Sequence, residues 1–540
     1  MKPFCYKYHT LIFTFSFLFL TCSFSQSNMP IQWQGCYGGT DYDYATDMVE
    51  HENGYLVIGQ VKSSDGDVTN YHGGGADLWL MNIDSIGNLL WERCYGGSNT
   101  DYTGRIITDN IGNYYFCGAV FSNDGDVQSG NHGGYDAWVV KIDGTGQIIW
   151  EKCYGGSGGE QAPNIKLQSD GNLLISCKTT STDGDVPAHY GAYDSWIFVI
   201  TPEGEIIKSA VFGNDLHNSV IDAIQTSDGG YFFTCSTSST QGMVEGTYHG
   251  GQTDVWALKL DNDLNIEWQK LYGGSETDFG HLGLCEVDDG IIFLAQTNSN
   301  DGDVSGCHPP IGQNTDIWAV KIDYEGNIIW QRCLGGEGWD FAGSLHKTDD
   351  GGFIIFADTK SYSGDVSGNN SWNTNYDIWM VKLSAEGELL WQECFGGYGN
   401  ERILSGSIKK SDHNWVIAGR ASDEISFDVA CDLHGYREDF WVFEIKDTTV
   451  SIDETESEGL KVYPNPARDY VCFEFANHLT HQCPCLELIN TKGMLIQSIF
   501  FYPSETLKVW DTRQISPGIY FYRFKSGGLV LKRGKIILQK

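Results

Sequence analysis

The chain has 540 residues, of which 66 are Gly and only 12 Pro, with 41% hydrophobic and 13% aromatic content. That composition excludes a disordered or collagen-like chain and fits one with a large core and many tight turns. The formal net charge is −37, and residues 459–540 hold 11 basic against 5 acidic residues, so the part before them carries −43. A surface this acidic repels nucleic acid and anionic membrane, which excludes both as partners, and suits solubility outside a cell or cation binding.

Lys2 and Lys7 precede the apolar stretch "LIFTFSFLFL" (11–20), and Ser23 and Ser25 supply small residues after it. This predicts a signal peptide over 1–25, cleaved after Ser25. The stretch is too short to span a bilayer comfortably, and no later one is longer, so no transmembrane segment is expected in the mature chain. Cys22 offers a lipoprotein alternative, but "LFLT" lacks the small residue that a lipidated Cys requires before it.

The mature chain opens on "IQWQGCYGG" (31–39), a partial copy of "GNLLWERCYGG" (87–97). Further copies place the anchor position at Trp33, Trp91, Trp150, Lys208, Trp268, Trp330 and Trp391, spaced 58–62 residues apart. An Asp-x-Trp element also recurs seven times, at Trp79, Trp138, Trp196, Trp256, Trp318, Trp379 and Trp441. Each repeat holds four strand-like runs. In the first, "YATDMVEH" turns at "ENG" into "YLVIGQV", and "DLWLMNID" turns at "SIGN" into "LLWERCYG". Four antiparallel strands, called a to d, make a propeller blade. The last Asp-x-Trp strand, "DFWVFEIKD" (439–447), lacks a d strand after it, and "IQWQGCYGG" is a d strand with no hairpin before it. The expectation is an all-β, seven-bladed β-propeller over 31–447, closed by the N-terminal strand, so that no sheet edge stays open.

Cys36, Cys94, Cys153, Cys333 and Cys394 share one repeat position. Copies on separate blades lie too far apart to bridge one another, so these are expected to be buried free thiols. Cys472, Cys483 and Cys485 allow one bridge near the C-terminus.

The a–b and c–d turns are short and share one face. The longer b–c and d–a loops share the other, where a rigid scaffold carries function. The b–c loops repeat Asp-Gly-Asp, giving Asp65 and Asp67, Asp124 and Asp126, Asp183 and Asp185, and Asp301 and Asp303. Carboxylates beside loop carbonyls suit Ca²⁺, although the spacing is not that of an EF-hand. The other reading is structural, because Asp caps turns through its own backbone. His72, His132, His189, His249 and His434 precede the Asp of Asp-x-Trp; equivalent residues on different blades do not converge on one ion, so a hydrogen bond within each blade is the simpler role. The d–a loops add Asp43, Asp101, Glu160, Asp278, Asp340 and Glu401.

In a pseudosymmetric ring the informative residues break the pattern. These are His308 in the longer loop "SGCHPPIGQNTD" (305–316), Trp339 in a d–a loop, Trp372 in "SGNNSWNTNYD" (367–377) and Arg437 in "CDLHGYRED" (431–439). Aromatics beside polar groups suit sugar or peptide binding, and these four are the candidate ligand-binding residues. There is no hydrolase elbow, HExxH, P-loop or dinucleotide fingerprint. The reading is a monomeric binding or interaction protein for a glycan or a surface protein. The alternative is a polysaccharide-degrading enzyme using carboxylates of the looped face.

"SIDETESEG" (451–459) belongs to an acidic linker, 448–459, after which the repeat ends. "YPNPARD" (463–469), "NTKG" (490–493), "ISPGIYFYR" (515–523) and the basic tail "KRGKIILQK" then follow in order. Residues 460–540 resemble the type A C-terminal sorting domain of the type IX secretion system of Bacteroidetes-type bacteria. The resemblance implies an immunoglobulin-like β-sandwich, recognition by the outer-membrane translocon, and release or attachment at the cell surface.

Overall fold

The computed structural model describes residues 29–446, apart from 110, 239, 309–313, 372–374 and 423–424, and residues 460–539, apart from 465, 476–484, 491–494, 501–506 and 527–528. The expected signal peptide and linker lie outside the described residues. The chain divides into two units, 1–447 and 448–540. Among the described residues there is no helix.

The first unit consists of seven four-stranded antiparallel sheets. Sheet 1 shows the pattern: Tyr44–His51, Gly54–Val61, Asp77–Asp84 and Leu89–Tyr95 pair in that order as strands a to d. Sheets 2 to 6 repeat it, with their a strands at Asp101–Thr108, Glu160–Leu167, Asn218–Gln225, Asp278–Val287 and Asp340–Lys347. Sheet 7 is composite. Arg402–Ser411, Asn414–Ala421 and Asp439–Lys446 take their fourth strand from Ile31–Tyr37. The a strand of each sheet lies against that of the next, and the a strand of sheet 7 lies against that of sheet 1. The result is a closed β-propeller arrangement with the a strands innermost.

Repeated side chains hold the sheets together. The seven Asp-x-Trp tryptophans are fully buried. A buried indole needs an acceptor, and the residue after the anchor position supplies it. Trp79 donates to Glu92 at 2.6 Å, Trp138 to Glu151 at 2.7 Å, Trp379 to Gln392 at 2.7 Å and Trp441 to Gln34 at 3.0 Å. The Tyr that ends the d strand reaches the next sheet: Tyr95 donates to the Gly146 carbonyl at 2.6 Å, and Tyr154 to that of Gly204 at 2.7 Å. Trp33 closes the ring by donating to Glu444 at 2.7 Å.

The cysteine expectation is corrected at two positions. Cys36 is bridged to Cys431 and Cys333 to Cys307, while Cys94, Cys153 and Cys394 are free and buried. The repeat copies do not bridge one another. Each bridge joins a d strand to the b–c loop of its own sheet, with Cα atoms 5.5 and 5.1 Å apart. In sheets 1, 2 and 6 that loop carries no Cys, so the thiol stays free.

The second unit has two antiparallel sheets. Leu460–Tyr463, Tyr470–Phe475 and Leu507–Asp511 form one. Leu495–Phe500, Cys485–Asn490, Gly518–Ser526 and Leu529–Leu538, in that order, form the other. They share a core of Val471, Phe473, Leu486, Leu488, Trp510, Phe524 and Ile536. Cys472 is free, and Cys483 lies outside the described residues.

Candidate functional site

The Asp-Gly-Asp loops fasten each sheet to the connection that precedes it. The first Asp accepts from the d–a loop: Asp65 from the Thr40 N–H at 2.8 Å, and Asp124, Asp183 and Asp301 from the N–H of Ser98, Ser157 and Ser275, each at 2.7 Å. The second Asp donates its N–H to the first Gly after the d strand and accepts that Gly's N–H on its carboxylate. The Asp67 N–H donates to the Gly38 carbonyl at 2.8 Å, and Asp126, Asp185 and Asp303 repeat the contact on Gly96, Gly155 and Gly273. The Gly between them has φ from +63° to +69° in these four loops. A Cβ on Gly66 would also sit 2.2 Å from the Gly38 carbonyl oxygen. Only glycine meets both demands, so the turn itself requires Gly between the two Asp residues.

The histidines work within a sheet and across to the next. His72 Nδ1 lies 3.0 Å from Asp77 and its Nε2 3.7 Å from Asp126 of sheet 2. His249 spans Asp254 and Asp303 at 2.9 and 3.8 Å, and His434 spans Asp439 and Asp67 at 3.0 and 3.4 Å. His308 belongs to this set, spanning Asp316 and Asp365 at 2.9 and 3.9 Å. Its longer loop hid that equivalence in the sequence. Hydrogen bonding to Asp77 and Asp316 raises the pKa of His72 and His308.

The d–a acids are fully buried and accept backbone N–H groups: Asp43 from Gly39, Lys62 and Ser63, and Asp101 from Gly97, Phe121 and Ser122. Burial pushes Asp278 to about 6 and Asp340 to about 7; it also raises Asp377, of the Asp-x-Trp series, to about 7. Among the described residues, one trio of ligand-type side chains is close enough to share an ion, Cys307, Asp316 and Cys333, and its two sulfurs are joined to each other.

Trp339, the one pattern-breaking aromatic among the described residues, belongs to a row of rings at sheet 6. Trp339 is 41% exposed and stacks on Phe341, with centroids 6.0 Å apart and planes 17° apart. Phe341 meets Tyr376 at 5.8 Å. The Arg402 guanidinium, from the start of sheet 7, lies 4.4 Å from the Tyr376 centroid and 5.5 Å from that of Phe341. Lys360 sits 4.4 Å from the Tyr376 ring on its own account. Asp358 fixes Arg402 through Nε at 2.7 Å and accepts the Ile403 N–H at 2.7 Å. Burial raises the Asp358 carboxyl, against the pull of Arg402. All of these residues lie at the looped end of the strands.

The sequence had singled out Trp339 but not Phe341, Tyr376, Lys360 or Arg402. The signal was available: Arg402 occupies the a-strand position held by Tyr44, Tyr102, Phe279 and Phe341 in other repeats. Arg437 lies apart, at the junction of sheets 7 and 1, over the Tyr42 ring at 4.5 Å. Trp372 lies outside the described residues. Two grooves of about 700 and 450 Å³ line the rim, one beside His72 and Asp126 and the other beside His249 and Asp303. They are one groove at two equivalent junctions, so the repeat itself produces them.

Comparison with known proteins decides the character of the C-terminal unit. Residues 461–539 match the family described as secretion system C-terminal sorting domain. This unit is a type IX sorting domain. Such a domain directs its cargo through the type IX system to the cell surface or beyond. No curated protein matches the sequence. Solved structures with a similar fold include the GH93 α-L-arabinofuranosidase of Fusarium graminearum (11% identity, TM-score 0.39, 63% of this chain and 92% of that one). A Synechocystis apocarotenoid oxygenase gives 10% identity and TM-score 0.39, covering 78% and 94%. The phage phi92 endosialidase gives 8% and 0.37, covering 87% and 75%. At these values no activity transfers to this chain. No helix among the described residues is long and apolar enough to cross a membrane.

Proposed function

We propose that this is an exported glycan-binding protein: a seven-bladed β-propeller, closed by Ile31–Tyr37, carried by an immunoglobulin-like sorting domain that engages the type IX translocon. The observation that carries the binding role is the Trp339–Phe341–Tyr376 strip with Arg402 and Lys360 over its rings. A half-exposed indole in a loop held by a rigid sheet offers a flat apolar face to a sugar ring, and the cations over the neighbouring rings suit acidic sugars. Asp358 holds Arg402 in place, so little order is lost on binding.

The test is a glycan and polysaccharide array probed with the mature chain for both binding and cleavage. Binding without cleavage is expected. Trp339→Ala is expected to weaken it at least tenfold, and Tyr102→Ala, on sheet 2, to leave it within twofold. Cleavage of any polymer on the array would overturn the reading in favour of an enzyme. Equal loss in both variants would place the site elsewhere.

A further inference from the structure

Four d strands carry a cation two residues after the anchor position: Arg93, Lys152, Lys270 and Arg332. Each reaches the c–d turn of the next sheet. From sheets 2 and 5 the cation meets a carboxylate there: Lys152 pairs with Glu205 at 2.5 Å and Arg332 with Glu388 at 3.3 Å. From sheets 1 and 4 it meets an amide. Gln147 stands where Glu205 and Glu388 stand in their repeats, and in the orientation that satisfies both groups its amide oxygen accepts from Arg93 Nη2 at 2.6 Å. Asn327 holds the same place and accepts from Lys270 Nζ at 2.9 Å. Among the described residues, neither Arg93 nor Lys270 has a carboxylate within 4.0 Å. Both are half-buried, and they line the rim grooves of about 700 and 450 Å³. The chain before residue 459 carries −43. A cation held free of carboxylates at two equivalent junctions, and neutralised at two others, sets those two grooves apart as places for an anion.

We propose that the two grooves bind carboxylate-bearing sugar units, of the uronic-acid class, of an acidic polysaccharide. The ligand carboxylate meets Arg93 in one groove and Lys270 in the other. An amide leaves either cation its full charge, and a carboxylate bonds it more strongly than an amide does. The rest of each wall selects for hydroxyls. The Asp126 and Asp303 side chains, each 33% exposed, open on the same two grooves. They repel a compact anion such as sulfate, which offers acceptors only, whereas a sugar hydroxyl donates to them. Gln128 in the first groove and Gln269 in the second add amides that both donate and accept. Both volumes fall within the roughly 300–1,000 Å³ of small-ligand sites. Neither groove uses a residue of the Trp339 strip.

The test is calorimetric titration of the mature chain carrying Trp339→Ala, which silences the looped face, with trigalacturonate, neutral galactotriose and sodium sulfate at low ionic strength. The expected result is two trigalacturonate sites per chain, with the other two probes at least tenfold weaker. Gln147→Glu gives Arg93 the partner that Lys152 and Arg332 already have, and should remove one site; adding Asn327→Glu should remove the other. Exposed ion pairs contribute little to stability, so the melting temperature should stay within about 2 °C. If Gln147→Glu does not fold, Arg93→Gln should remove the same site. Absence of trigalacturonate binding at about 10 mM, sulfate or galactotriose binding as tightly, or undiminished binding in the Gln147→Glu/Asn327→Glu variant would each overturn the assignment. Binding by wild type that Trp339→Ala abolishes would overturn it too, while leaving the looped-face reading intact.

Discussion

Replacing both Cys36 and Cys431 by Ser opens the covalent closure of the ring. The bridge spans 395 residues, and chain entropy then gives it about 6 kcal/mol as an upper value, against about 3.5 kcal/mol for Cys307–Cys333 with its separation of 26. Unfolding entropy of ~2.1 cal/mol/K per residue over the roughly 420 residues of the ring comes to about 0.9 kcal/mol/K. Losing the closing bridge should therefore lower the melting temperature by about 3–7 °C, the lower end allowing for native strain. The strand itself remains, because Trp33 still donates to Glu444 and Gln34 still binds both Trp441 and the backbone at Asp428 and Ala430. The assay is scanning calorimetry of wild type, Cys36→Ser/Cys431→Ser and Cys307→Ser/Cys333→Ser, each with and without reductant. The closing pair should lose more than the local pair, and reductant should bring wild type below either. A loss under 1 °C for the closing pair, or a larger loss for the local one, would refute the argument that this bridge acts by restricting a nearly ring-long loop.

Gly66→Ala puts a Cβ at φ +67° against the Gly38 carbonyl and should cost about 1–3 kcal/mol, read as a lower urea midpoint at constant slope; Gly112→Ala, where a Cβ meets nothing within 4 Å but φ is also positive, should cost less. Stability should rise as pH falls from 8 to about 6.5. Burial lifts Asp340 and Asp377 to about 7, and hydrogen bonding to Asp77 raises His72. In that window the folded state therefore holds protons that the unfolded state lacks. Below 6.5 the gain should level off, because burial lowers His281 and His346 to about 4 and they then take up protons more readily unfolded. A melting temperature that falls between pH 8 and 6.5 would contradict this. A chain ending at Gly459 should accumulate in the periplasm, measured by fractionation; normal levels in the medium would remove the sorting role from the C-terminal unit.

Strand positions, the sevenfold recurrence, the orphan d strand at the start and its vacancy at the end could all be read from the chain, because period-two patterning and Gly turns act over a few residues. The sorting unit was legible for the same reason, its motifs being contiguous. What the residues do at each junction was not. Cys36 and Cys333 looked identical to Cys94 in their repeats, and only the loop that folds over each strand determines whether a thiol finds a partner. His308 looked irregular because its loop is longer, yet the loop returns it to the same pair of carboxylates. Trp339 was visible as an anomaly and Phe341 lies two residues beyond it, but Tyr376 joins them only through strand pairing within sheet 6, and Arg402 only through packing of sheet 7 against sheet 6. Each rim groove draws its residues from two neighbouring sheets, a set that exists only once those sheets have packed. Local rules act through neighbours along the chain, whereas these contacts join residues tens to hundreds of positions apart, and the closed tertiary structure alone brings them within reach.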